Sequence, residues 1–324
     1  MGIKYRSLAK SLQNYINYVI PAMPTFGKTY YVKKTGSDSW DGLSVENAFL
    51  TISRALTVQA LETEDLGDVI FVLPGTYTEF IEKDLADVWL RGVSSGGMKR
   101  PIVQASANEQ CYSGALSNST ISGIDFYCNT STVDAVEAFH VDQTMISSAI
   151  IDCGFYGQTA SPDGRIGLQI GGRGEAGSAT WEYIRDSLIA NCYFGGTSKT
   201  YELDCGINFG VYADSTTNQA QRLFQRSHIF NNMFMCHKRG INLLTGNSNN
   251  QGSLISYNTM ASMQAPGGPI EYGIRQLQGE DSLTLIHYNN IKAGTDGISG
   301  FANYNTMGNI VSIGAGVPAW EYAI

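Results

Sequence analysis

A six-residue phrase recurs seven times along the chain, and this repetition constrains the fold more than any other feature. Its copies are Ile121-Ser-Gly-Ile-Asp-Phe126, Ile150-Ile-Asp-Cys-Gly-Phe155, Ile189-Ala-Asn-Cys-Tyr-Phe194, Ile229-Phe-Asn-Asn-Met-Phe234, Ile255-Ser-Tyr-Asn-Thr-Met260, Ile286-His-Tyr-Asn-Asn-Ile291 and Ala302-Asn-Tyr-Asn-Thr-Met307. The first position is aliphatic and the sixth a large apolar residue throughout. The sixth positions lie 29, 39, 40, 26, 31 and 16 residues apart, so strands are kept while the loops between them vary. That is the pattern of a solenoid.

A second phrase interleaves with the first: Gly167-Leu-Gln-Ile170, Gly206-Ile-Asn-Phe209, Gly240-Ile-Asn-Leu243, Gly273-Ile-Arg-Gln-Leu277 and Gly297-Ile-Ser-Gly-Phe301, with Val136-Glu-Ala-Phe139 as a weaker first copy. Apolar and polar residues alternate after each glycine, as in a strand with one face buried. Each coil therefore carries at least two strands on a common core. The fourth position of the first phrase runs Ile124, Cys153, Cys192, Asn232, Asn258, Asn289, Asn305. Asn there suits both a left-handed corner and a ladder of amides bonded along the axis. Helical repeats are excluded by the β-branched, Asn-rich and Gly-rich composition. The expected fold is all-β, a parallel β-helix.

The 324 residues include 36 Gly and only 15% charged residues, which suits short strands joined by tight turns. Net charge is −8, and no Lys/Arg run follows residue 10, so nucleic acid is not an expected partner. The six cysteines lack the CxxC spacing of a metal or redox site. Cys128, Cys153, Cys192 and Cys236 fall on the buried side of the repeat and are expected as reduced core thiols, with one or two disulfides as the alternative. Met1 to Met23 has no unbroken apolar stretch, so neither secretion nor membrane insertion is expected. No cofactor and no metal are expected either.

Tyr5, Leu8, Leu12, Tyr15 and Val19 form a heptad-spaced seam before Pro21 and Pro24, on a short helix that is expected to serve as an attachment or trimerising arm. The alternative is a helix folded onto the protein's own end. Ser44 is a candidate N-cap for an amphipathic helix with Phe49, Ile52, Leu56 and Ala60 on one face, which would cover the open end of the solenoid. Around it stand Gly36, Asp38, Asp41 and Gly42, then Gly67, Asp68, Ile70, Val72, Pro74, Gly75 and Tyr77. This opening resembles that of the right-handed parallel β-helix proteins of the pectin-lyase-like superfamily, and especially bacteriophage spike and tail proteins. The resemblance implies a right-handed single-stranded β-helix divided into an arm (1–28), a strand with capping helix (29–65), the β-helix (66–312) and a C-terminal tail (313–324).

Superfamily members include polysaccharide lyases, hydrolases and epimerases as well as virion spikes, so function rests on the site. Aligning the second phrase gives a column of alternating charge, Arg165, Asp204, Lys238 and Glu271. It is expected to point outward as a solvated ladder; as catalytic residues these four are the candidates for a lyase. Asp38 and Asp41 suit an Asx turn rather than a calcium site. No acid pair can be identified from sequence as the two carboxylates of a glycosidase. Aromatic loop residues offer stacking surface for sugars, with Trp181, Tyr183, Tyr201 and Tyr212 as candidates.

The resulting expectation is a virion protein on a phage tail or capsid surface, made in the host cytoplasm. It would be a homotrimer that docks on a virion structural protein through its N-terminal arm and presents its β-helix to a bacterial surface polysaccharide. An enzyme of the same fold that degrades polysaccharide, and a purely structural virion component, are the alternatives.

Overall fold

In a computed structural model the repeats stack into a right-handed parallel β-helix. The structure describes residues 27–62, 67–94, 99–106, 109–128, 136–157, 165–171, 182–196, 201–210, 222–243, 252–262, 270–276, 284–299 and 306–313. The N-terminal seam at Tyr5, Leu8, Leu12, Tyr15 and Val19 lies outside them.

One face is a sheet of ten short parallel strands. It runs Thr29–Val32, Asp68–Val72, Val88–Gly92, Thr120–Ser122, Ala149–Ile151, Leu188–Ala190, His228–Phe230, Leu254–Ser256, Leu285–His287 and Thr306–Met307. The first halves of the repeated phrases stack here, so that Ile121 pairs with Leu90 and Ile150, and Ile229 with Ile189 and Ile255. The second halves stack around the corner: Phe126 pairs with Phe155, Phe155 with Phe194, and Phe194 with Phe234. The last two pairs have their rings parallel, each 4.8 Å apart. A further face is made by Val136–Ile146, Arg165–Ile170, Leu203–Phe209, Met233–Leu243 and Ile270–Gln276. Inward side chains from all faces meet in one continuous apolar core.

Two internal ladders hold the corners. The Asn232, Asn258 and Asn289 side chains are buried; each Nδ2 donates to the next Oδ1, at 3.0 Å from Asn232 to Asn258 and 2.9 Å from Asn258 to Asn289. The ladder ends on Asn309, whose Oδ1 accepts from Asn289. The seventh copy is therefore Thr306–Val311, not Ala302–Met307, because Thr306 and Met307 pair with Ile286 and His287; Asn305 lies outside the described residues. The left-handed corner also falls one position earlier than expected. Gly123, Asp152, Asn191, Asn231, Tyr257, Tyr288 and Gly308, all at the third position, have φ between 53° and 68°.

The second ladder is serine. Val88 N–H donates to Ser119 Oγ, and the backbone N–H of Ser119, Ser148, Ser187 and Ser227 donates in turn to the hydroxyl of Ser148, Ser187, Ser227 and Ser253. These serines stand two residues before each phrase, a column visible in the sequence once the phrases are aligned.

The capping helix spans Ile52–Glu62. It starts later than Ser44, because Thr51 Oγ1 accepts from Arg54 N–H while the Glu79 carboxylate takes the N–H groups of Ile52 and Ser53. Ile52, Ala55 and Leu56 are buried in the common core, whereas Ala60 faces solvent. Asp38 accepts from the N–H groups of Leu50 and Thr51, and Asp41 from Leu43. Asp41 thus makes the expected local turn, whereas Asp38 reaches 12 and 13 residues along the chain to hold the entry to the capping helix. All six cysteines are buried free thiols. Cys153 and Cys192 occupy the ladder position in their coils, where the Cys192 thiol donates weakly to Ala190 O at 3.3 Å.

Candidate functional site

Asp125–Cys128, Gly154–Gly157 and Tyr193–Gly196 stack in register on the second face, so Asp125, Gly154 and Tyr193 form one outward row and Tyr127, Tyr156 and Gly195 the next. The glycines make room for the rings. A Cβ on Gly154 would stand 2.3 Å from Tyr156 Cε2 and 2.5 Å from Asp125 Oδ1, and one on Gly195 2.6 Å from the Tyr193 hydroxyl. The three tyrosines consequently form a half-exposed file, with ring centres 5.0 Å apart from Tyr127 to Tyr156 and 5.1 Å from Tyr156 to Tyr193.

Beside this file lies a cleft of about 410 Å³. Asp125, Tyr156 and Tyr193 are on one side, Asn191, Asn231 and Met233 on another, with Cys153 and Cys192 at its base and Arg100 at its rim. Arg100 arrives from the segment before Ile102–Gln104. It donates from Nη1 to Asp152 O at 2.7 Å and from Nη2 to Asp152 Oδ1 at 2.5 Å. Its Nη1 also stands 3.7 Å from Asp125 Oδ1, beyond hydrogen-bond length. The two acids differ in setting: the Asp125 side chain is 16% exposed and that of Asp152 56%.

Asp125 Oδ1 is buried without a hydrogen-bond partner among the described residues. Burial raises the pKa of Asp125 above the usual carboxylate value, and the nearby Asp152 charge adds to the rise while Arg100 opposes it. Burial likewise pushes the Tyr193 hydroxyl up to about 12 and that of Tyr156 higher still, so both phenols stay protonated donors. The cleft thus offers apolar ring surface, neutral donors, side-chain amides and a carboxyl group whose pKa burial raises, beside one that is paired with Arg100. Among the described residues, no group of three or more His, Cys, Asp or Glu side chains is placed to hold a metal ion.

The charge column foreseen from sequence is not the solvated ladder expected. Arg165 and Asp204 are buried, at 4% and 0% exposure, rather than solvated, and Asp204 Oδ2 accepts from the Arg165 backbone N–H at 3.2 Å. The register itself is as expected: Ile166, Cys205, Arg239 and Tyr272 pair in turn, one residue after each member of the column, while Lys238 is half-buried and Glu271 exposed. Of the aromatic candidates, Tyr201 is half-buried outside the cleft, and its carbonyl packs on Gly157 and Gly196. Trp181, Tyr212 and the Tyr183 side chain lie outside the described residues. Asp125 and Asp152 stood in the repeated phrase itself, at its outward fifth and third positions, which was the signal for them. Arg100 had none, since only the fold brings it to the cleft.

No protein-family model matches the sequence, and a search of curated proteins finds no match. The fold does match solved structures. A GH136 lacto-N-biosidase from Eubacterium ramulus superposes with a TM-score of 0.53 at 13% identity, over 96% of this chain and 66% of that one, so this chain spans a little under two thirds of that structure's length. A pectin methylesterase from Erwinia chrysanthemi (TM-score 0.44, 12% identity, 92% of each chain) and an alginate lyase from a Paenibacillus species (TM-score 0.42, 11% identity, 82% of this chain and 97% of that one) are more distant. The protein thus has a right-handed parallel β-helix fold.

Proposed function

We propose that this protein binds a polysaccharide in the cleft beside Tyr156 and Tyr193. The observation that carries this reading is the tyrosine file set against the Asp152–Arg100 pair and the Asn191 and Asn231 amides. Rings stack on the apolar faces of sugars while fixed polar groups read hydroxyls, the division of labour of carbohydrate-sized sites. The fold neighbour described as a lacto-N-biosidase supports the same class of ligand. The test is affinity electrophoresis through gels containing bacterial and plant polysaccharides. Retardation should be lost in Tyr156→Ala and in Asp152→Ala, and migration unaffected by every polymer counts against the reading.

A second reading, cleavage of the bound glycan, is favoured by Asp125. A buried carboxyl whose pKa is raised, beside a second acid paired with Arg100, is the kind of pairing a glycosidase uses, with Asp125 as acid and Asp152 as its counterpart. Release of reducing ends by the wild type, abolished in Asp125→Asn, is its measurement.

The setting we propose is a virion surface, with residues 1–28 docking on a virion protein and three copies assembling. The resemblance of the opening segment to phage spikes and the Tyr5 to Val19 seam support it. A full-length monomer in solution, or virion attachment unaltered by removal of residues 1–28, would exclude it.

A further inference from the structure

The third-position corner continues beyond the cleft along the solenoid axis, and its residues change character as it goes. Asn191 and Asn231 line the cleft, Asp152 holds Arg100 at its rim, and Asn231 Nδ2 donates to Asn191 Oδ1 at 2.8 Å. The next two coils place Tyr257 and Tyr288 at the same left-handed corner, with φ of 58° and 56°. Asn, Asp and Gly adopt that conformation readily, whereas a bulky ring there is an outlier that calls for a reason. Core packing is not the reason, because the two side chains are 45% and 46% exposed. The rings stack on each other with centres 5.3 Å apart, and Tyr288 leans over Gly308, where a Cβ would stand 2.6 Å from its ring.

Five successive coils thus present Asp, Asn, Asn, Tyr, Tyr in a line that begins at the cleft. Coils repeat about every 4.8 Å, close to the length of one hexose unit in an extended chain, so a glycan lying along the axis would meet one corner residue per sugar. The line is also poor in positive charge. Arg100 is engaged by Asp152, and His287 beside Tyr288 has its pKa lowered by burial, which keeps it neutral at pH 7. Among the described residues, a polymer of uronic acids would meet no cation along it beyond Arg100, which Asp152 already holds.

We infer that the corner from Asp152 to Tyr288 is an axial track for an uncharged linear glycan, with Tyr257 and Tyr288 as its distal subsites. This rests on the cleft being the glycan site. The track accounts for aromatic rings at strained, exposed corners, and it sets direction and length: affinity rises with chain length until the polymer spans the coils from Asp152 to Tyr288.

The test uses the full chain and a double variant, Tyr257→Asn with Tyr288→Asn, which restores the residue type of the preceding corners and so preserves the fold. Both are run, alongside Tyr156→Ala, through gels containing neutral polymers (xylan, mixed-linkage glucan, galactomannan, neutral bacterial exopolysaccharide) and acidic ones (alginate, polygalacturonate). The expected result is retardation by a neutral polymer that weakens at least about fivefold in the double variant, with short oligosaccharides of the same polymer bound equally by both proteins. Retardation by a neutral polymer that Tyr156→Ala abolishes and the double variant leaves intact overturns the track and spares the cleft. Retardation by acidic polymers alone overturns the uncharged ligand. A change of solution mass in the double variant assigns the tyrosines to contact between copies instead. Absence of retardation by any polymer overturns the cleft reading and the track with it.

Discussion

Gly206 lies against Phe234: a Cβ on the glycine would stand 2.4 Å from Cδ1 of the ring. The same relation joins Gly167 to Phe194, Gly240 to Met260, Gly273 to Ile291 and Gly297 to Val311. Each glycine of the second phrase thus receives the sixth residue of the first phrase from the coil that follows, which is why the two phrases interleave. We expect Gly206→Ala to cost roughly 1–3 kcal/mol through overpacking, and Phe234→Leu in the same chain to recover part of that loss. Urea unfolding of the two single variants and the double variant measures the coupling.

The amide ladder gives a sharper loss. Asn258 Oδ1 accepts from both the backbone N–H and Nδ2 of Asn232, and its own Nδ2 donates to Ile229 O and to Asn289 Oδ1. Asn258→Ala strands these groups in the interior, where an unmet donor or acceptor costs about 1–3 kcal/mol. A fall in unfolding free energy of about 3 kcal/mol or more is expected, against little change for Asn231→Gly on the exposed side of the same corner, where glycine keeps the left-handed backbone.

The repeats made the β-helix legible because a core shared by stacked coils demands the same residue type at the same offset in every coil. That demand fixed Phe126, Phe155, Phe194 and Phe234, and the Asn column from Asn232 to Asn289. It failed at the seventh copy, where Tyr304-Asn305 mimics Tyr288-Asn289 by letter while Gly308 and Asn309 hold the structural positions. The cleft was harder to read. Its acids sit at outward positions that the core does not constrain, and Arg100 reaches Asp152 from 52 residues away. The column of Arg165, Asp204, Lys238 and Glu271 was right in register and wrong in setting, because the alternation that aligns its members does not say how deeply each is covered, and Arg165 and Asp204 are buried.

Burial reverses the expectation for Asp204. A solvated ladder residue could be removed almost freely, but this carboxylate is fully buried and accepts from the Arg165 backbone N–H. Asp204→Ala should therefore destabilise by more than about 1 kcal/mol, and a thermal midpoint equal to that of the wild type would return the residue to the surface.

His228 should make the protein sensitive to mild acid. Burial lowers its pKa from 6.5 to about 4, so the unfolded chain binds a proton that the folded state resists between those values. Stability then falls as pH drops from 6.5 toward 4. His228 stands between Leu188 and Leu254 in the stacked sheet, and His228→Leu continues that column. The variant should lose this slope and gain about 2 kcal/mol relative to wild type near pH 4. Urea midpoints across the interval give the comparison.

Asp125 titrates with the opposite consequence. Its folded pKa is raised, chiefly by burial, so the folded protein holds the proton more tightly than the unfolded chain does, and stability declines as pH rises from the ordinary carboxylate value through the raised one. Asp125→Asn keeps the shape of the group and removes the charge. It should match wild type below the carboxylate range and exceed it in stability at pH 7, with the difference opening across that window. The same variant separates the two roles of the cleft. A neutral amide still fills the space between Arg100 and Gly154, so glycan retention should persist, whereas a proton donated from Asp125 to a leaving oxygen has no substitute in Asn. Retention with loss of reducing-end release places Asp125 in cleavage. Retention in both proteins with no release from either leaves the cleft as a binding site in which the buried acid only shapes the floor beneath Tyr156.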